Sequence, residues 1–328
     1  MKERVLITGA SGFIGYHLIE EALKHNLEVY VAIRKSSKTD HLKNFNINYT
    51  YPDFTDLSSL KKELKENKYN YIIHAAGVTK ARSQKEYNHI NAGYTHNLAL
   101  AALESGIKLK KFVLISSLAA IGPLNSLTGI ITEDTIPRPI TAYGKSKLLA
   151  EQNLKAFSSL NYNILRPTGV YGPWDRDIFI FFKQIVKGIE PYIGKTDQKF
   201  SFLYVTDLAT AAIKALFAAN NKTYNLSDGN FYSRYELATV IKDVLNLKTV
   251  KFHLPVNFVK LIARVSEKYS ALSNKAAVLN VEKVDELMAV NWFCDIEQAK
   301  AELGFYPGYN LKAGVTETIK WYKTNKWL

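Results

Sequence analysis

Ser117, Tyr143 and Lys147 are the residues of this chain whose types and spacing could move a proton to or from a substrate. Tyrosine alone is a poor acid or base at neutral pH, with an ordinary pKa of about 10. A nearby lysine ammonium stabilises the phenolate and brings proton exchange into reach. Four residues along a helix place Tyr143 and Lys147 one turn apart on one face. Ser117, just past an apolar run, offers a hydroxyl to a substrate oxygen as charge develops there. With 20 Tyr and 35 Lys such pairs also arise by chance, and a second, Tyr322/Lys326, lies beside the C-terminus. No serine-ended strand precedes that second pair, so the first is the candidate.

Hydride chemistry would also need a dinucleotide, and the N-terminal segment offers a place for one. Gly9, Gly12 and Gly15 fall between a short apolar strand, Val5 to Thr8, and a helix from Ile14 to His25. Gly9 permits a tight turn, Gly12 lets the backbone approach a pyrophosphate, and Gly15 lets the helix pack close to the strand. Free N–H groups near Ser11, Phe13 and Ile14, with the positive end of the helix dipole, face the diphosphate. The Gly-x-x-Gly-x-x-Gly spacing takes its meaning from its place at the first strand–helix junction. The second strand, Val29 to Ile33, is followed by Arg34, Lys35 and Ser36, with no acid for a ribose 2′-hydroxyl. These cations suit a 2′-phosphate, so NADP is the expected cofactor and NAD the alternative. Asp53 and Phe54 are candidates to frame the adenine. Ala75, Ala76 and Gly77 form a small-residue strand end past which the cofactor can run.

Elements that would position these groups alternate along the first half of the chain. Strands are expected at Ile47 to Tyr51, Tyr71 to His74, Phe112 to Ser116 and Tyr162 to Leu165. Helices are expected at Leu57 to Glu66, Tyr87 to Ser105 and Ala142 to Phe157. This rhythm predicts an α/β fold with a doubly wound parallel sheet. After Pro167 it changes, and a smaller, mixed α/β C-terminal lobe is expected. Residues 1–166, rejoined by about 202–227, would form the dinucleotide-binding domain, with 167–201 and 228–328 as the substrate lobe. Ile178 to Phe182 reads as core. Pro255 to Tyr269 is amphipathic, with Phe258, Leu261, Ile262, Val265 and Tyr269 on one face, and is expected to pack within the second lobe.

The totals exclude several classes. Apolar residues are 47% and charged ones 22% of 328, which fits a globular protein large enough for two lobes. The net charge of +13 comes from scattered lysines, 35 against 8 arginines, with no basic stripe, so no nucleic-acid partner is expected. A single cysteine, Cys294, and a chain that enters a strand at once point to a cytoplasmic setting. No apolar run reaches membrane-span length, so no membrane partner is expected. The seven histidines lack metal spacing, and no metal is expected. His74 reads as core and Asp207 as a helix N-terminal residue.

The motifs resemble those of the extended short-chain dehydrogenase/reductases, in the epimerase/dehydratase and dihydroflavonol-reductase-like group. The matching pieces are Thr8 to Gly15, Asp53-Phe54, His74 to Gly77, Ser116-Ser117, Tyr143 to Lys147, Arg166 to Pro173, Tyr204 to Ala209 and Leu303 to Pro307. Tyr94 departs from the pattern, which has glycine there. The resemblance implies a Rossmann-type fold, the same roles for Ser117, Tyr143 and Lys147, and a contact from Lys147 to the nicotinamide ribose. It also implies cofactor contacts at Pro167 and Thr168, and homodimers formed through the helices from Tyr87 and Ala142. It selects Ser117 over Ser116, by counting back five residues from Gly122. Nucleotide-sugar dehydratases carry an acidic pair after that serine, whereas Leu118-Ala119-Ala120-Ile121 follow here. Nucleotide-sugar epimerases carry a diphosphate-holding arginine where this chain has Phe200, with Lys199 beside it. The expectation is therefore an oxidoreductase of a small carbonyl or alcohol substrate. Trp174, Phe179, Phe181 and Phe182 are its candidate pocket walls, and a nucleotide-sugar epimerase using bound NAD is the alternative.

Overall fold

The computed structural model of the chain describes residues 2–273 and 279–328. Its first half runs β1 (Arg4–Thr8), α1 (Phe13–Lys24), β2 (Glu28–Ala32), β3 (Asn48–Thr50), α2 (Leu57–Asn67), β4 (Tyr71–His74), α3 (Gln84–Tyr87), α4 (Tyr94–Glu104), β5 (Lys111–Ile115), α5 (Ala142–Lys155) and β6 (Tyr162–Pro167). Then come β7 (Gly169–Tyr171), α6 (Phe179–Val186), β8 (Ile189–Ile193), β9 (Lys199–Phe200), β10 (Phe202–Tyr204), α7 (Val205–Phe217) and β11 (Lys222–Leu226). Seven strands form one sheet in the order β11-β6-β5-β4-β1-β2-β3, and every neighbouring pair is parallel. Both faces are covered, which is why β4, β5 and β6 are buried along their whole length. One face packs against α1 and α7 through residues such as Leu18, Ile19, Leu208 and Ala212. The other packs against α2, α4 and α5 through Leu60, Leu64, Leu98 and Leu154. This is the expected Rossmann-type doubly wound sheet. Chain order reverses between β1 and β4, and there the crevice at the strands' C-terminal ends opens.

The expected helix from Tyr87 to Ser105 is interrupted. A π-helical turn spans Asn88–Gly93 between α3 and α4. Within it Asn91 is buried and makes its own bonds: its Oδ1 accepts from Val78 N at 2.8 Å, and its Nδ2 donates to Val78 O at 3.1 Å and Ser146 Oγ at 2.9 Å. A widened turn of this kind is what lets a helix aim a side chain sideways. Asn91 thus ties the segment after β4 to α5, the helix that carries Tyr143.

The remaining elements are β12 (Tyr232–Ser233), α8 (Glu236–Leu245), β13 (Val250–Leu254), α9 (Val256–Ser273), α10 (Val281–Met288), α11 (Glu297–Leu303) and α12 (Leu311–Thr324). Phe182, Ile185, Ile241, Val315 and Tyr322 form a separate core under them, so the Ile178-to-Phe182 run helps build that core. Asp207, in the first turn of α7, accepts from Gly308 N and Tyr309 N, each at 3.1 Å, and so anchors the approach to α12. One expectation fails. In α9 it is Val259 and Ala263 that pack inward, while Phe258, Leu261, Ile262, Val265 and Tyr269 are exposed.

Candidate functional site

Ser117 and Tyr143 meet on one wall of a cleft at the C-terminal edge of the sheet. Ser117 follows β5 in extended conformation and caps the short turn Leu118–Ala120, its Oγ accepting from Ala119 N at 3.2 Å. Tyr143 sits in the first turn of α5, which Thr141 caps by accepting from Gly144 N at 3.0 Å. Gly144 lies where an added Cβ would stand 2.3 Å from Ala119 O, so α5 can press its start against the Ser117 turn. The Ser117 hydroxyl lies near enough to the Tyr143 phenol to favour its ionised form.

Ser116, the neighbouring serine, turns the other way. Its Oγ donates to Glu151 Oε1 at 2.5 Å, inside a buried ion pair in which Arg166 Nη2 reaches Glu151 Oε2 at 2.6 Å. Lys147 is buried on the same helix, and its Nζ donates to Ile115 O at 2.7 Å. Burial pulls the Lys147 ammonium down to about 8, against the opposing pull of Glu151. Burial also pushes the Tyr143 phenol up to about 12, offset in part by the neighbouring Ser117 hydroxyl and reinforced by Glu286 and Tyr87. Desolvation dominates, and in this state Tyr143 keeps its proton at neutral pH.

His74 lies beneath the site, fully buried. Its Nδ1 shares a 2.8 Å hydrogen bond with Thr8 Oγ1, which also accepts from Ala76 N at 3.0 Å. Burial, with the charge of Lys147, drives it down to about 3, so it is neutral and holds strand ends in place. The second Tyr/Lys pair lies elsewhere: Tyr322 is buried in the second core, while Lys326 is exposed.

The glycine loop is built for close approach. Gly9 has φ +70°, and a Cβ there would stand 2.6 Å from Ala75 O; at Gly15 it would stand 2.3 Å from Gly9 O. Gly12 opens α1 without any side-chain cap and without an acid in the first turn. The N–H groups of Phe13 and Ile14 thus begin a helix whose positive end is available to an anion. Ser11 lies in the same loop, and its backbone is close enough to His41 to raise the imidazole against the larger, lowering effect of burial. Thr168, after β6 and beside Pro167 on the cleft wall, has a buried Oγ1 with no partner among the described residues. Gly77 passes close to Asn91 Oδ1, 2.9 Å from where its Cβ would be, and Ala75 and Ala76 pack directly against Gly9 of the loop. Uncapped donors, glycine clearances and an orphaned hydroxyl along one crevice fit a dinucleotide. Arg34 is exposed just past β2, next to Lys35, and its N–H donates to Ser37 Oγ at 3.2 Å. Asp53 is also exposed, its Oδ1 accepting from Thr55 N and Oγ1 at 2.8 and 2.7 Å. The half-buried Phe54 ring stacks on Tyr94 at 5.5 Å, and its carbonyl accepts from Asn97 Nδ2 at 2.8 Å.

The opposite cleft wall was not foreseen. It comprises Phe200, Phe202, Leu287 and Trp292, with Glu286 the carboxylate among them. Trp174, Phe179, Phe181 and Phe182, the expected walls, pack elsewhere. Trp174 lies against Tyr16, Trp321 and Trp327, Phe179 and Phe182 against Tyr322, and Phe181 against Tyr192. Sequence patterning could expose Phe200 and Phe202 as alternate residues of a short strand, but gave no sign that α10 and Trp292 return to face them. Asn291 makes that return possible: its Nδ2 donates to Ser126 O and Gly129 O at 3.0 and 3.2 Å. Lys199 points away from Phe200, and its Nζ lies 4.4 Å from the Phe231 ring centroid. Among the described residues, no arginine lines the cleft.

A parallel sheet with its switch point beside an uncapped glycine turn defines the class of dinucleotide-binding α/β enzymes. Within that class, the chain belongs to the NAD dependent epimerase/dehydratase family, which it matches over residues 5–227. It is similar to a UDP-glucose 4-epimerase of Vibrio cholerae, 28% identical over 98% of this chain and 95% of that protein. It is likewise similar to a ceramide reductase of Caulobacter vibrioides, 25% identical over 99% of this chain and 96% of that protein. The crystal structure of a UDP-glucose 4-epimerase from Thermotoga maritima, with UDP-glucose, shares the fold. Its TM-score is 0.81 at 21% identity, covering 98% of this chain and 99% of that one. Among the described residues no helix is long and apolar enough to cross a membrane.

Proposed function

We propose that this chain is an NADP(H)-preferring oxidoreductase that interconverts a carbonyl and an alcohol on an apolar substrate. The observation that carries the reading is the cleft wall facing Ser117 and Tyr143: Phe200, Phe202, Leu287 and Trp292, with no arginine among the described residues. Aromatic and aliphatic walls gain from an apolar ligand and leave a diphosphate without charge or donors to replace its water. The Caulobacter vibrioides relative named a ceramide reductase lends support. Residues 1–166 with 202–227 would hold the dinucleotide, and 167–201 with 228–328 would shape the substrate side. Arg34 and Lys35 support the NADP assignment, since a 2′-phosphate offers them an anion.

Held along the glycine turn and Thr168, a reduced nicotinamide dinucleotide would supply the hydride that carbonyl reduction needs. Ser117 Oγ hydrogen-bonds the substrate oxygen. Tyr143 enters as a neutral phenol and gives that oxygen its proton, so the products are an alcohol and a phenolate. The Lys147 ammonium stabilises the phenolate until a proton returns from solvent. A phenol held protonated suits the reductive direction, because the donor is loaded before substrate arrives.

A nucleotide-sugar epimerase is the second reading, favoured by the Vibrio cholerae relative. It would need Lys199 to take the place of the missing arginine, and that side chain lies against Phe231. Calorimetry with free UDP separates the two. The oxidoreductase reading expects affinity no better than about millimolar, or roughly 4 kcal/mol, in wild type and Lys199→Ala protein alike. Micromolar binding lost in Lys199→Ala would replace it with the epimerase.

A further inference from the structure

We infer that the outward face of α9 is a docking surface for an anionic lipid bilayer, which brings the cleft to a substrate carried in that bilayer. The docking rests on the helix alone; the substrate class rests on the apolar-cleft reading above.

Five large side chains of α9 project outward: Phe258, Leu261, Ile262, Val265 and Tyr269 are 52, 56, 44, 60 and 73% exposed. At helical spacing they fall within an arc of about 100°. The helix does not need them for its own fold. Its inward side, Val259 and Ala263, already packs on Val284 of α10. Scattered exposed apolar residues are ordinary, but an unbroken stripe over three turns of one helix is not.

Charge selects the occupant. The exposed cations Arg264 and Lys268 flank the stripe along one edge. Between residues 256 and 273 the one acid is Glu267, and it is turned inward to accept from Val281 N at 3.0 Å. Lys260 is held by Asp285 at 2.7 Å, toward α10. The outward face therefore presents apolar bulk with positive charge at its margin. That combination favours an interface of acyl chains under anionic headgroups over a neutral protein groove. Such a helix would lie in the plane of the surface rather than cross it.

Position links the surface to the site. α10, which backs α9, also supplies Glu286 and Leu287 to the cleft. A bilayer seated on α9 would therefore lie one helix away from the cleft wall, and a lipid carbonyl need not cross water to reach it.

Flotation with phosphatidylglycerol-rich vesicles tests the docking on the full chain, with phosphatidylcholine vesicles alongside. Wild type should float with the anionic vesicles, and Leu261→Glu/Val265→Glu protein should lose at least about tenfold in partitioning. Arg264→Glu/Lys268→Glu should lose the preference for anionic lipid. Tyr306→Glu, at a residue 72% exposed outside the patch, should float as wild type does. Reduction of a short, water-soluble ketone should be unchanged in every variant, which also shows that they fold. Failure of wild type to float, or equal flotation of wild type and Leu261→Glu/Val265→Glu, overturns the docking. So does a stripe that drives self-association without vesicle binding. Flotation without reduction of any ketone supports the docking and removes the substrate reading, so the two failures are distinct.

Discussion

At the scale of single residues, the meeting of Ser117 and Tyr143 at one cleft was legible from spacing, because strand ends and helical turns are local geometry. The protonation states were not, because they depend on how much protein surrounds each group. Lys147 shows this best, with its ammonium drawn down to about 8 by burial. Below that value the cation is present to support the phenolate, and above it the cation is lost. Reduction at saturating substrate should thus be flat below about pH 8 and fall as pH rises through it, followed as kcat against pH. A rate that rises through the same range would contradict the role given to Lys147. Arg34 is the residue on which the cofactor assignment turns. Arg34→Ala should weaken NADP(H) by roughly 1.5 to 3 kcal/mol, the scale of a charge-assisted hydrogen bond, and leave NAD(H) nearly unchanged. Titration of both proteins with both dinucleotides checks it, and tighter NAD than NADP binding in wild type would count against the assignment.

At the scale of elements, alternation of strand and helix revealed the sheet because parallel strands covered on both faces are continuous apolar runs. The π-helical turn at Asn88–Gly93 was hidden, since its cause is a long-range set of bonds from Asn91 to Val78 and Ser146. The ion pair between α5 and β6 was hidden for the same reason. Glu151 and Arg166 are fully desolvated, and Ser116 completes the carboxylate's bonds. Removing one partner strands the other, so Glu151→Ala should cost about 3 to 5 kcal/mol of stability, measured by urea unfolding. In protein that still folds, the fall in kcat should move to lower pH, because Glu151 helps hold the Lys147 proton. A variant with wild-type stability and an unmoved pH profile would show that this pair neither braces α5 nor tunes the lysine.

At the scale of the whole molecule, the change of rhythm after Pro167 raised the expectation of a second lobe but not which of the later residues face the site. The aromatic run at Ile178 to Phe182 drew the pocket prediction, yet its size and apolarity serve the lobe's own core. The cleft wall comes instead from β9, β10, α10 and Trp292, brought together from distant parts of the chain. Long-range closure of this kind leaves no periodic trace. The central claim, that the two lobes together form a carbonyl reductase for apolar substrates, is tested most directly by NADPH oxidation with a long-chain aliphatic ketone. The account predicts turnover in wild type and a loss of at least about a hundredfold in Tyr143→Phe, the scale of a positioned proton donor, while NADPH still binds. Tyr322→Phe should keep nearly full activity. No ketone-dependent oxidation in wild type, or equal losses in the two tyrosine variants, would contradict it.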